Sequence, residues 1–308
     1  MVALNLQNPQ MNNAAVPGIS SRSRLIAFTT PHNYAGRLSQ VIKLHGWSPL
    51  SCPSIIVEIT PQTISSIQNY LLTPNSHPGK SFLEDFSALA FTSRTGITAF
   101  SEALTPIEKP PLDPKGENPF TISALGKDSE LLDESFLVKI CENPSRIKVL
   151  IPQIATPKGL VDSLGLGQGR KVLCPVPLVL GLEEPPVVPD FLNDLAKKGW
   201  IPVRVNAYKT RWAGPKCAEV VKNRGNLDAI VFTSTGEVEG FLKSLKELGL
   251  NWEMMRKRFP RMVVAAHGPV TACGAEKLGV EIDVVSSKFD SFDGVIDALD
   301  YRWNKSLD

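Results

Sequence analysis

The stretch VFTSTGEVEGF, Val231 to Phe241, has an earlier gapless copy in AFTSRTGITAF, Ala90 to Phe100. Phe91, Thr92, Ser93 and Phe100 match Phe232, Thr233, Ser234 and Phe241, and Ile97 matches Val238 in kind. A second pair follows at nearly the same offset. ISALGKDSE, ending at Glu130, aligns with VAAHGPVTA, ending at Ala272, which sets Gly126 on Gly268 and Ser129 on Thr271. A third pair, HGWSPL from His45 and KGWIPV from Lys198, shares Gly-Trp-x-Pro. Ordered pairs of this kind point to a duplicated unit, hence to two similar domains.

Each unit alternates a short apolar strand with a helix that opens on small polar residues. LIAFTT (25–30) leads into a helix near Tyr34 to Leu44, and Phe86 to Phe91 into one carrying Ile97, Phe100 and Leu104. Leu227 to Phe232 leads into Val238, Phe241, Leu242, Leu245 and Leu248, an i, i+3, i+4, i+7 stripe, with Ser234 and Glu237 spaced as a capping box. Arg261 to Ala266 leads through Gly268 and Pro269 into a helix that stops at Gly279. Strand then helix, repeated, predicts an α/β fold: two similar domains, each a parallel sheet flanked by helices.

The Gly-Trp-x-Pro pair suggests where the domains meet. SPLSCPSIIVEI after Trp47 and IPVRVNAYKT after Trp200 are extended and look like connectors. If both are crossovers, residues 25–47 and 209–308 form a discontinuous first domain and residues 48–208 a second domain that includes both connector strands. Two consecutive halves are the alternative topology. Residues 1–24 contain no acid, carry Arg22 and Arg24, and are expected to be a disordered extension; a short organellar transit remnant is the other reading. TPIEKPPLDPKGENP, 105–119, reads as a surface loop.

With 308 residues, 43% of them apolar, and a net charge of +2, the chain can bury a large core and has no bulk electrostatic reason to bind nucleic acid or a membrane. The apolar run VLCPVPLVLGL is broken by Pro175 and Pro177 and falls short of the ~20 residues a spanning helix needs. Cys52, Cys141, Cys174, Cys217 and Cys273 are scattered and never form CxxC, which predicts reduced thiols rather than a disulfide framework or a zinc site. His32, His45, His77 and His267 show no ligand spacing, and no metal is expected. GLGQG, Gly165 to Gly169, lacks the strand before and helix after that a dinucleotide loop requires.

The Thr-Ser-x-x-Gly turns fall where strand carboxyl ends meet helix amino ends, the place where open α/β sheets bind ligands. Their hydroxyls can simply cap the helices, or the free backbone N–H groups can receive an anion. Each helix start contributes roughly 0.3 to 1 kcal/mol toward an anion, so a duplicated set suits a ligand with many carboxylates. Tyr208, in NAYKTRW with Lys209, Thr210 and Arg211 beside it, is either a proton donor to a departing hydroxyl or an aromatic packing the connector.

Together these residues resemble the uroporphyrinogen-III synthase family. The likeness rests on the two FTS-plus-helix turns at 91–93 and 232–234, HGPVTACGAEKLG at 267–279, AYKT at 207–210 and a final helix with Gly294 to Leu299, and it covers most of residues 25–300. The resemblance implies two α/β domains joined by a two-stranded connector, and a cofactor-independent lyase that closes hydroxymethylbilane, a linear tetrapyrrole rich in carboxylates, between them. Loss of the terminal hydroxyl gives an azafulvene, and attack through the substituted carbon of the last ring forms a spiro intermediate that recloses with that ring inverted. Positioning and charge stabilisation carry such chemistry. Tyr208 would be catalytic, and Thr92, Ser93, Ser129, Thr233, Ser234, Thr235, Gly268 and Thr271, with their amides, would bind substrate. A monomer is expected, cytoplasmic or, in a plant, in the plastid stroma.

This chain departs from the family pattern in three places. Its first strand ends Thr29, Thr30, Pro31 instead of Thr-Arg; Gly126-Lys127-Asp128-Ser129-Glu130 replaces Gly-x-x-Thr-Ala; and apolar LVLGLEEPPVVP follows VLCPVP in place of a polar turn. A diverged relative that binds a tetrapyrrole or another polyanion without cyclising it, or an interaction module, is therefore a second reading. Acids on the middle-domain side of the cleft would favour it. A nucleotide-dependent enzyme would need a phosphate loop, which the sequence lacks.

Overall fold

The computed structural model describes residues 23–72, 81–288 and 291–305. Residues 1–22 of the expected extension and His77 lie outside the described residues. Residues 23 and 24 belong to the fold: Ser23 Oγ donates to the Gly46 carbonyl at 2.9 Å, and the Arg24 guanidinium sits 4.2 Å from the Trp303 ring centre.

The chain begins with β1 (Leu25–Phe28), α1 (His32–Leu44) and β2 (Ser48–Ser51). It then builds a second body from β3 (Ile55–Glu58), α2 (Pro61–Leu71), β4 (Ala88–Ala90), α3 (Arg94–Leu104), β5 (Phe120–Ser123), α4 (Glu134–Ile140), β6 (Ile147–Leu150), α5 (Pro157–Leu164), β7 (Lys171–Leu180), α6 (Val187–Lys197) and β8 (Ile201–Trp212). It returns through α7 (Lys216–Lys222), β9 (Ala229–Phe232), α8 (Thr235–Glu247), α9 (Trp252–Arg258), β10 (Val263–Ala266), α10 (Pro269–Lys277), β11 (Val284–Val285) and α11 (Asp293–Asn304). The first sheet, ordered β11-β10-β9-β1-β2, is parallel throughout. The second, ordered β3-β8-β7-β4-β5-β6, is mixed, because β3 runs antiparallel to β8.

Both sheets are covered on both faces, which is why their strands read as continuous apolar runs. In the first sheet Ala27, Ile230, Phe232 and Val264 enter one core, while Ile26, Phe28, Val231 and Ala265 enter the opposite one. In the second, Leu89, Phe91, Ile122 and Leu173 face away from Ala88, Ala90, Val172 and Cys174.

The Gly-Trp-x-Pro pair marks helix ends, and the switch between sheets lies beyond it. Gly46 and Gly199 follow α1 and α6 with φ of +75° and +79°, a left-handed step that only glycine takes without strain. After Gly46, β2 pairs with β1 from Leu25↔Ser48 to Phe28↔Ser51. Residues 48–51 thus belong to the first sheet instead of opening the connector, and the chain changes sheets between Ser51 and Ile55. On the return, β8 stays in the second sheet as far as Trp212, past the expected switch at 208. Strand pairing decides both limits, and nothing in the local sequence reports it.

Strand β7 tolerates Pro175 and Pro177 because its pairing with β4 stops at Leu173; beyond that point β8 is its sheet neighbour. The register of β7 on β8 shifts between Val176 and Pro177, with Val176 opposite Asn206 and Pro177 opposite Tyr208. Ala207 is therefore an extra residue on β8. The bulge breaks the strand's alternation, so Ala207 and Tyr208 both join the core that holds Val205. In the 105–119 loop, the Arg146 guanidinium donates to the Asp113 and Asn118 carbonyls and grips Glu84 at 2.8 and 2.9 Å.

Candidate active site

A cleft of about 490 Å³ opens between the two sheets. It is lined by the segments that leave the carboxyl ends of β1, β9 and β10 on one side and of β4, β5, β6 and β7 on the other, the position expected of a ligand site in open parallel sheets. The duplicated turns thereby face one another. Eight of the nine residues expected in the site line this cleft: Thr92, Ser93, Tyr208, Thr233, Ser234, Thr235, Gly268 and Thr271.

Ser129 does not. The residues after β5 form a short 3-10 turn, Gly126–Leu131, in place of an α-helix, and the Ser129 hydroxyl donates back to the Gly126 carbonyl at 2.7 Å. Lys127 and Asp128 turn toward the cleft instead. The alignment of Ser129 with Thr271 holds in sequence and fails in space, because 3-10 and α turns rotate successive side chains by different angles.

On the second-domain wall, Ser93 is the N-cap of α3, its Oγ accepting from the Gly96 N–H at 3.1 Å. The same oxygen lies 2.9 Å from the Tyr208 phenol oxygen. Ser93 Oγ takes the Gly96 N–H on one lone pair and keeps a second lone pair and its proton, so either hydroxyl can donate in the bond to Tyr208. Tyr208 is only 7% exposed, and burial pushes its pKa up to about 12, partly opposed by the Ser93 bond. The phenol is neutral and a donor across the physiological range. The cations expected beside it are elsewhere: Lys209 reaches Gln62 and Arg211 pairs with Glu58 at 3.0 Å. Arg37, Arg94 and Lys127 line the cleft in their stead.

On the first-domain wall the hydroxyls are tied down. Ser234 caps α8 by accepting the Glu237 N–H at 3.4 Å. The Glu237 carboxylate does not close the expected capping box. It accepts from the Thr233 hydroxyl, from the Thr233 N–H at 2.9 Å and from the Thr29 hydroxyl at 2.9 Å. Burial raises the pKa of Glu237, and these donors oppose the rise. Thr271 donates to the Thr233 carbonyl at 3.2 Å, stitching α10 to the turn before α8. The two helices approach so closely that a Cβ on Gly274 would stand 2.1 Å from Thr235 Oγ1. What the first-domain wall offers an anion is thus backbone N–H of the α8 and α10 first turns more than free hydroxyls.

Several cleft residues carry no repeat signal. Tyr34 on α1 reaches across to Thr95 on α3, their hydroxyls 2.7 Å apart, which bridges the two domains. Arg37 lies one helical turn beyond Tyr34 on α1, an i, i+3 spacing that could have flagged it. Pro177, Val179, Leu182, Val187 and Val188 form an apolar flank, so the LVLGLEEPPVVP departure extends β7 and walls the cleft. His267 stacks edge-on to Phe292 with ring centres 5.3 Å apart. GLGQG packs under Trp200, whose Nε1 donates to the Gly165 carbonyl at 3.0 Å, and lies outside the cleft. Acids are present too: Asp128 and Glu183 on the second-domain side, Glu237 on the first. Among the described residues, no helix is long and apolar enough to cross a membrane.

Comparison with known proteins matches residues 36–295 to the family described as uroporphyrinogen-III synthase HemD. A crystal structure of a mutant uroporphyrinogen III synthase from Thermus thermophilus superposes with a TM-score of 0.56 at 19% identity, over 92% of this chain and 100% of that one. The Helicobacter pylori uroporphyrinogen-III synthetase covers 92% of this chain and 100% of its own at 13% identity, with a TM-score of 0.45. No curated protein matches the chain. At these identities the Thermus structure establishes the shared two-domain fold.

Proposed function

Because the chain belongs to the uroporphyrinogen-III synthase HemD family, we propose that it cyclises hydroxymethylbilane to uroporphyrinogen III, inverting the last pyrrole ring. The observation that carries this reading is the Tyr208 phenol held 2.9 Å from Ser93 Oγ, at a cleft where duplicated helix starts face each other. Tyr208 donates to the departing hydroxyl. The N–H groups opening α8 and α10, with Arg37 and Lys127, hold carboxylates, and Thr271 acts by fixing the α10 start against Thr233. The apolar flank along Val179, Leu182 and Val188 excludes water from the reactive azafulvene.

The bilane closes spontaneously to the type I isomer, so the deciding experiment is an isomer assay. Hydroxymethylbilane is generated by its upstream deaminase, this protein is added, and the oxidised products are separated by chromatography. A protein-dependent excess of type III supports the reading; type I alone from folded protein rejects it. Asp128 and Glu183 on the second-domain wall favour the other reading, a diverged relative that binds a tetrapyrrole without closing it. Tight binding of uroporphyrin with type I alone as product would support that alternative.

A further inference from the structure

Asp128 lines the cleft beside Tyr208, Tyr34 and Arg94, where a carboxylate-rich substrate would be repelled by it. The Arg94 guanidinium lies 3.8 Å from its carboxylate, and although burial raises the Asp128 pKa, the Arg94 charge opposes that rise. Asp128 therefore already sets a negative charge beside Arg94, the first residue of α3, on the cleft wall. About 30% of its side chain stays exposed. An ionised carboxylate has about four acceptor sites, so capacity remains on the cleft side. A second carboxylate cannot come to it, whereas an N–H donor can.

A linear tetrapyrrole carries such a donor on every ring, and the reaction makes one ring cationic. The C–O bond of the hydroxymethyl carbon breaks with its electron pair on oxygen, which takes the Tyr208 proton and leaves as water. The nitrogen of the same ring shares its pair with the exposed carbon, so positive charge on the ring balances the phenolate. Passing the ring N–H proton back to the phenolate then gives the neutral azafulvene and restores Tyr208.

Resting on the ring-closing reading, we infer that Asp128 is the counter-ion of this cation: it accepts the N–H of the ring that loses hydroxide and stabilises its charge, with Arg94 fixing its position. A charge held in place ahead of the reaction acts most strongly on charge that develops only as the bond breaks. Burial, and secondarily the Asp128 charge, raises the pKa of both Tyr208 and Tyr34 and so keeps the phenols protonated. The acid at this position in Gly126-Lys127-Asp128-Ser129-Glu130 is thereby consistent with catalysis.

The test compares wild type with Asp128→Asn under steady-state conditions. The expected result is a roughly ten- to hundredfold fall in kcat, with KM unchanged or lower because a like charge has gone, and a smaller type III share as spontaneous closure competes. Glu130→Gln removes the same charge from an exposed neighbour and is expected to behave as wild type. If Asp128→Asn loses its cooperative melt, Asp128→Ser takes its place in the same comparison. A neutral variant with wild-type kcat, whatever its KM, overturns the inference, since Asp128 would then only repel carboxylates. Wild type that makes no type III overturns the ring-closing reading and this inference together; active wild type with an indifferent variant overturns the inference alone.

Discussion

The two copies of the Phe-Thr-Ser turn share a backbone and differ in what closes them. Ser93 and Ser234 are both extended N-caps, with φ of −156° and −152° and ψ of 150° and 159°. Three residues on, the first domain has Glu237, whose carboxylate folds back onto Thr233 and Thr29. The second has Gly96, where an added Cβ would stand 3.3 Å from the Pro175 carbonyl of β7. With no carboxylate folding back, Ser93 is left to meet Tyr208. One copy closes on its own carboxylate and the other leaves its serine paired with a phenol at the cleft, so the duplicated turns share a backbone and differ in the groups that meet them.

Glu237→Ala should break the scaffold side hardest. It strands two hydroxyls and an N–H in a buried turn, a cost of about 3 kcal/mol or more, read as a drop in the urea midpoint. Retention of wild-type stability would mean that the first-domain turn needs no closure. Tyr208→Phe should lower kcat about a hundredfold while moving the melting temperature little, since only one hydrogen bond of ~1 kcal/mol is lost. An unchanged rate would make the second-domain turn as inert as the first. Thr271→Val is a smaller change: loss of the bond to Thr233 should destabilise by ~1 kcal/mol and raise KM a few-fold with kcat held.

Acid titration should tilt the domains in opposite directions. Burial raises Glu237, so its ionised form is disfavoured in the fold; the stabilisation is complete below the ordinary glutamate range and lost as pH rises through the raised value. Burial also pushes Glu84 upward, but bonds from Arg146 and the Asp113 N–H outweigh it and the pKa falls; that stabilisation is complete above the ordinary range and lost as pH drops through the lowered value. Urea midpoints measured from acid to neutral pH should lose their alkaline-side slope in Glu237→Gln and their acid-side slope in Glu84→Gln. Identical profiles for both variants would erase the contrast.

Much of this was legible in the chain. The repeat, the strand-to-helix alternation and the Ser93 and Ser234 caps follow from local pattern, because caps and apolar periods are set by residues within a turn or two of each other. Tyr208 could be singled out by its place in AYKT. Its orientation could not, since that depends on a bulge at Ala207 opposite prolines thirty residues earlier in the chain. The same holds for Ser129, displaced by a 3-10 turn, and for Glu237, which the sequence presents as a capping residue and the fold turns onto Thr29, 208 positions away.

The sequence by itself determined the class of fold, its duplication and the chemical character of the cleft, since each is written in short-range residue order. Tertiary structure alone decided which sheet β2 joins, which cations reach the cleft, and that Asp128 stands against Arg94 beside a buried phenol. Those outcomes depend on which distant strands pair and where the pairing slips, and pairing energy is spread over backbone bonds that any residue but proline can make.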